Sequence, residues 1–147
     1  MSILIVEDDA FKLSAIEAAI KDRWNTKIEV ATSLRAAMTT LEERSFDFVV
    51  LDMAIPSHTS DAGAVDTYSM PIGGLDVLLF LAENGRSEIV AILTQHPTVE
   101  YDRRHVPLRD MVRTLHADGI PNAVEAILFT ETGDWKAQLL ATMEVRS

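Results

Sequence analysis

The order of short apolar runs along the chain leaves few architectures open. Ile3-Leu4-Ile5-Val6 is a continuous run rich in β-branched residues, the pattern of a strand buried on both faces. Leu13, Ile16, Ile20 and Trp24 follow at spacings of three and four, which lines one face of a helix. Ile28-Glu29-Val30-Ala31 alternates and reads as a strand nearer an edge, and Ser33 then caps a helix with the stripe Leu34, Ala37, Met38 and Leu41. Phe48-Val49-Val50-Leu51 repeats the two-sided strand pattern, and Leu75, Leu78, Leu79 and Ala82 mark a helix stopped by Asn84-Gly85. Ile89 to Leu93 is a fourth strand, and a helix through Leu108, Met111, Val112 and Leu115 ends at Asp118-Gly119. Ala126-Ile127-Leu128-Phe129 is a fifth strand, and a last helix carries Trp135, Leu139 and Met143 behind an Asp134 cap. Short apolar strands alternating with amphipathic helices predict right-handed crossovers and a parallel α/β sheet covered on both faces.

A length of 147 residues suits one domain, and 48% apolar with 24% charged residues is ordinary for a globular chain. The formal charge of −10 repels nucleic acid and anionic membrane, and Arg103-Arg104 is too small a basic spot to reverse that. With no cysteine, thiolate metal sites and cysteine nucleophiles are excluded. Ile89 to Val99 lacks Asp, Glu, Lys and Arg but falls well short of the ~18 residues of a membrane span. Acids directly after the first apolar run exclude a secretory signal, so a cytoplasmic location is expected. Two connections are long, Met53 to Gly74 and Gln95 to Pro107. Both follow the carboxyl ends of strands, where open α/β sheets bind ligands.

Glu7, Asp8 and Asp9 end the first strand, and Asp52 ends the third. On neighbouring strands these carboxylates converge, and unbalanced like charges raise one another's pKa. A hard divalent cation resolves that conflict, and an all-oxygen donor set favours Mg²⁺. Asp9 is better read as the cap of the first helix, which leaves Asp8 and Asp52 as the metal pair. Thr94 ends the fourth strand, so its hydroxyl belongs on the same sheet edge. His58, His96 and His105 fall in the long connections without zinc-ligand spacing, and His116 lies near a helix C-terminus.

The segments Ile3 to Asp9, Phe48 to Pro56 and Ala91 to Thr94 resemble the receiver domain of two-component response regulators. The likeness covers nearly all of residues 1–147 as a single domain with an enlarged loop at about 53–74. It implies a flavodoxin-like, doubly wound five-stranded parallel sheet of order 2-1-3-4-5, with helices on both faces. It implies that Asp52 accepts a phosphoryl group from a histidine kinase or small acyl phosphate. Asp8 and Asp52 would ligate Mg²⁺ directly, Glu7 through water, and Ala54 by its backbone carbonyl, while Thr94 would donate its hydroxyl to the phosphoryl group.

The sequence departs from the family at four places. Thr130 stands where the family carries a lysine that grips a phosphoryl oxygen, with Lys136 six residues later inside the last helix. Ile127 replaces the usual aromatic, and Gln95 is larger than the small residue common after the threonine. The 53–74 connection, with Asp61, Asp66 and Tyr68, is the fourth; it reads equally as a lid, a partner loop or a tolerated insertion.

Two functions follow as expectations. The first is a phosphoacceptor receiver in phosphorelay signalling, performing at most self-phosphorylation from a donor and self-dephosphorylation. The alternative is a phosphorylation-independent pseudo-receiver that binds a protein partner. Either way an output protein is expected as partner, and a homodimer is left open. A haloacid-dehalogenase-type phosphatase needs a second acid where Ala54 stands, and no glycine-rich turn supports a dinucleotide site.

Overall fold

The computed structural model describes residues 1–56 and 73–146. Its elements begin β1 (Ser2–Val6), α1 (Ala10–Arg23), β2 (Lys27–Ala31), α2 (Leu34–Glu43), β3 (Phe48–Leu51) and α3 (Gly73–Glu83). They continue β4 (Ile89–Thr94), β5 (Thr98–Tyr101), β6 (Arg104–Pro107), α4 (Leu108–Ala117), β7 (Ala123–Leu128) and α5 (Trp135–Arg146). The main sheet has the order β2-β1-β3-β4-β7, all parallel, so β7 is the fifth strand of the expected doubly wound sheet.

The two-sided strand pattern divides between two cores. Leu4, Val6, Val49, Leu51 and Ile92 face one core with residues of α2, α3 and α4. Ile3, Ile5, Phe48, Val50 and Leu93 face the other, against Ile16 and Ile20 of α1 and Leu139 and Met143 of α5. Because side chains alternate along a strand, an apolar run supplies both layers at once. Asp9 caps α1 by accepting from Lys12 N at 3.0 Å, and Ser33 caps α2 from Ala36 N at 3.1 Å.

Two expectations need correction. The connection Gln95 to Pro107 is not an unstructured loop, since it holds the antiparallel pair β5–β6. Its turn is Asp102-Arg103, both at positive φ (52° and 62°), without the glycine that usually announces such a turn. The last strand starts at Ala123 rather than Ala126, and a register shift between Val90 and Ala91 leaves Val124 unpaired and hides the alternation. The expectations for the 53–74 connection, including His58, Asp61, Asp66 and Tyr68, fall on residues 57–72, outside the described residues.

At the amino ends of the strands a polar cluster closes the sheet. Glu88, 2% exposed, accepts from Phe46 N at 3.0 Å and pairs with Arg86, whose guanidinium also donates to the carbonyls of Leu41 and Arg44. Asn122 bridges the carbonyls of Arg86 and Glu88.

Candidate functional site

Parallel pairing sets the carboxyl ends of β1, β3 and β4 side by side. Val6 lies opposite Leu51, and Leu51 opposite Ile92, so the residues that follow share one edge. The ladder carries past the strands, with Asp52 N donating to Val6 O and Glu7 N to Ala31 O, each at 3.0 Å. Glu7, Asp8 and Asp52 consequently bring carboxylate oxygens within 4.8 Å of one another. Asp8 is exposed, while Glu7 and Asp52 are buried.

These acids have unequal surroundings. Asp52 accepts from Ala54 N at 3.2 Å, which holds one of its oxygens at the start of the following turn. Glu7 has both oxygens engaged, Oε1 with Lys12 Nζ at 2.6 Å and Oε2 with Asp9 N at 3.1 Å. Burial, and then the charge of Asp52, push the Glu7 carboxyl up to about 7 against the opposing pull of Lys12. Asp8 is also raised, through partial loss of water.

Thr94 arrives on the same edge from β4, 1% exposed, with its Oγ1 accepting from His96 N at 3.2 Å. Its carbonyl receives Phe129 N at 2.7 Å, tying the end of β7 to the site. Beside Ala54 and Thr94 opens a cavity of about 370 Å³, whose far lining includes His96, Glu100 and His105 from the hairpin side. Thr130, by contrast, is exposed, and its hydroxyl packs directly on Gly133. Ile127 is fully buried between α1 and α5, in the second core.

Lys12 escaped the sequence reading. The buried face of α1 is Lys12, Ile16, Ala19 and Ile20, whereas Leu13 and Trp24 only flank it. The signal was present, since Lys12 stands four residues before Ile16 on the core stripe. Its Nζ donates to Leu93 O at 2.6 Å and reaches Gln95 Oε1 at 3.5 Å and Asp52 Oδ2 at 3.7 Å.

The donor set suits a hard divalent cation. With Glu7 saturated by Lys12 and Asp9, the carboxylates left for direct ligation are Asp8 and Asp52, both oxygen donors as Mg²⁺ requires.

Comparison with known proteins bears on the family and the fold. Residues 3–108 match the family model described as the response regulator receiver domain. The chain is 29% identical over 143 residues to the Detocs response regulatory protein DtcB of Vibrio alginolyticus, covering 94% of this chain and 96% of that protein. Among solved structures, it resembles the N-terminal domain of a response regulator/sensory box/GGDEF protein from Carboxydothermus hydrogenoformans (TM-score 0.65, 18% identity, 99% and 93% of the two chains). It also resembles the response regulator TrrA of Thermotoga maritima, solved with Mg²⁺ and BeF (TM-score 0.63, 17% identity, 99% and 98% covered). At those identities the structural likeness speaks for the fold alone.

Proposed function

The chain belongs to the response regulator receiver family, and from that premise we propose that it accepts a phosphoryl group on Asp52 in a phosphorelay. The observation that carries this reading is the convergence of Glu7, Asp8 and Asp52 on the edge closed by Thr94. A purely structural module has no use for three carboxylates within 4.8 Å, because their mutual repulsion opposes folding.

Asp8, Asp52 and the carbonyl of Ala54 would hold Mg²⁺, with Glu7 acting through water. Such an ion, when bound, offsets the negative charge of the transferring group. The chain's own residues do the rest. Ala54 N fixes one oxygen of Asp52, and the other attacks phosphorus as the P–N bond of a phosphohistidine, or the P–O bond of an acyl phosphate, breaks. The leaving nitrogen or carboxylate departs with the bond's electron pair, and Asp52 becomes an acyl phosphate. Thr94 Oγ1 already accepts from His96 N, so its proton is free to be donated to the phosphoryl group. A histidine kinase or small acyl phosphate supplies the group, and an output partner reads the result.

A second reading, a phosphorylation-independent interaction module, draws on Thr130 and Ile127. One is turned to Gly133 and the other buried, so neither of the usual relay positions carries a group that senses phosphate. Intact mass after rapid quench from acetyl phosphate and Mg²⁺, with Asp52→Asn in parallel, separates the two. An adduct on wild type alone, abolished by EDTA, is expected. Equal uptake by Asp52→Asn would sink the acceptor assignment, and no adduct with Mg²⁺ bound would favour the interaction module.

A further inference from the structure

We propose that Lys12 is the cationic positioning residue of the phosphoacceptor site, supplying from the first helix the ammonium that the family carries after its last strand. The inference deepens the proposed function and rests on it.

Lys12 is 0% exposed. A buried ammonium is unfavourable unless it is paired and hydrogen-bonded, and an aliphatic side chain would fill a core stripe beside Ile16 at far lower cost. Packing alone therefore gives no reason for lysine here. Its contacts give one. The Nζ is 2.6 Å from Glu7 Oε1 after β1, 3.7 Å from Asp52 Oδ2 after β3 and 2.6 Å from Leu93 O within β4. It also lies 5.8 Å from the centre of the Phe129 ring, just past β7. One charge is thus shared among the carboxyl ends of the strands that build the site.

The other candidate cations are elsewhere. Thr130 has no charge, and Lys136 is exposed with its Nζ 5.7 Å over the Trp135 ring. Among the described residues, Lys12 alone pairs with the acids of the site. Phosphorylation turns a singly charged carboxylate into an acyl phosphate of about two negative charges, so the charge to be balanced rises at the moment of transfer. Lys12 meets that rise beside Asp52 Oδ2, 3.7 Å away, the oxygen that Ala54 N leaves free to attack, while Glu7 Oε1 holds the ammonium at 2.6 Å.

The test moves the lysine. Lys12→Met and Lys12→Gln are each compared with wild type and with the double variant Lys12→Met/Thr130→Lys, all checked for folding by thermal melting. Lys12→Gln keeps a donor for Leu93 O, so it remains informative where Lys12→Met does not fold. Two readouts are taken with Mg²⁺, the initial rate of adduct formation from acetyl phosphate and the calorimetric affinity for beryllofluoride. Loss of the ammonium is expected to lower both by about tenfold or more, and Thr130→Lys is expected to recover most of the loss. A role in packing alone predicts no such rescue, since position 130 is exposed.

Folded Lys12 variants with wild-type rate and affinity would overturn the inference, as would a loss that Thr130→Lys leaves untouched. If wild type forms no adduct, the acceptor reading fails separately. Beryllofluoride then decides Lys12: weaker binding by the variants supports it, and equal or absent binding overturns it.

Discussion

Gly74 at the start of α3 lies so close to Met53 that a β-carbon there would sit 2.7 Å from the Met53 Cα and 2.8 Å from the carbonyl oxygen of Asp52. Both obstacles are backbone, and Gly74 N also donates to Met53 O at 2.9 Å. The helix is thereby clamped to the turn that carries Asp52. Gly74→Ala must push the two apart, so we expect a loss of about 1–3 kcal/mol in urea unfolding and slower phosphoryl uptake. An alanine variant with unchanged stability and uptake would show that the contact relaxes freely.

Glu7 gives the site a pH signature. Its carboxyl is raised from an ordinary 4.5 to about 7, so the folded protein keeps a proton that the unfolded chain releases in between. The fold binding more protons means that stability falls as pH rises through that window. In metal-free protein the urea midpoint is expected to decline from pH 4.5 to 7, and Glu7→Gln to flatten the decline. A wild-type midpoint that climbs relative to Glu7→Gln across this range would contradict the assignment.

Arg86 serves as the control at the opposite end of the sheet. Its partner Glu88 is 2% exposed, and removing the guanidinium leaves that carboxylate buried and unpaired. Arg86→Met is expected to cost roughly 3–5 kcal/mol while the folded fraction takes up phosphoryl at the wild-type rate. Should uptake collapse with the fold intact, the two ends of the sheet are coupled.

Tyr101 pins the hairpin to the end of α4, its hydroxyl donating to Asp118 at 2.5 Å. Burial and then this bond raise the phenol to about 12. The folded state retains the phenolic proton between pH 10 and 12 where the unfolded chain loses it, so stability declines on rising through that range. Tyr101→Phe should remove the decline and, below pH 10, cost about 1 kcal/mol. An absorbance titration placing Tyr101 at an ordinary 10 would refute the contact.

The parallel sheet and the acidic edge were legible because both are written in local runs. Four consecutive apolar residues ending in an acid say strand, burial and edge together, as Ile3 to Glu7 and Phe48 to Asp52 do. Lys12 was not legible by the same rule, since periodicity counts lysine as a solvent-facing residue and the stripe was drawn through Leu13 instead. Glu7 lies nearby in sequence, but only the meeting of α1 with β3 and β4, far off along the chain, adds Asp52 and the Leu93 carbonyl that complete its surroundings. The hairpin was missed for a smaller reason: Thr98-Val99-Glu100-Tyr101 alternates, but Asp102-Arg103 takes a turn conformation usually given to glycine or asparagine.

The chain has four lysines, and the seclusion of Lys12 sets it apart from Lys21, Lys27 and Lys136 on the surface. Acyl phosphates acylate amines as well as donating phosphoryl groups, so a single reagent confronts four lysine amines of which three are open at all times. Lys12 reacts only in the moments when α1 parts from the sheet. Its rate of acetylation is thus a stopwatch for the breathing of this end of the molecule, and a tight anion on Asp52 should slow the clock.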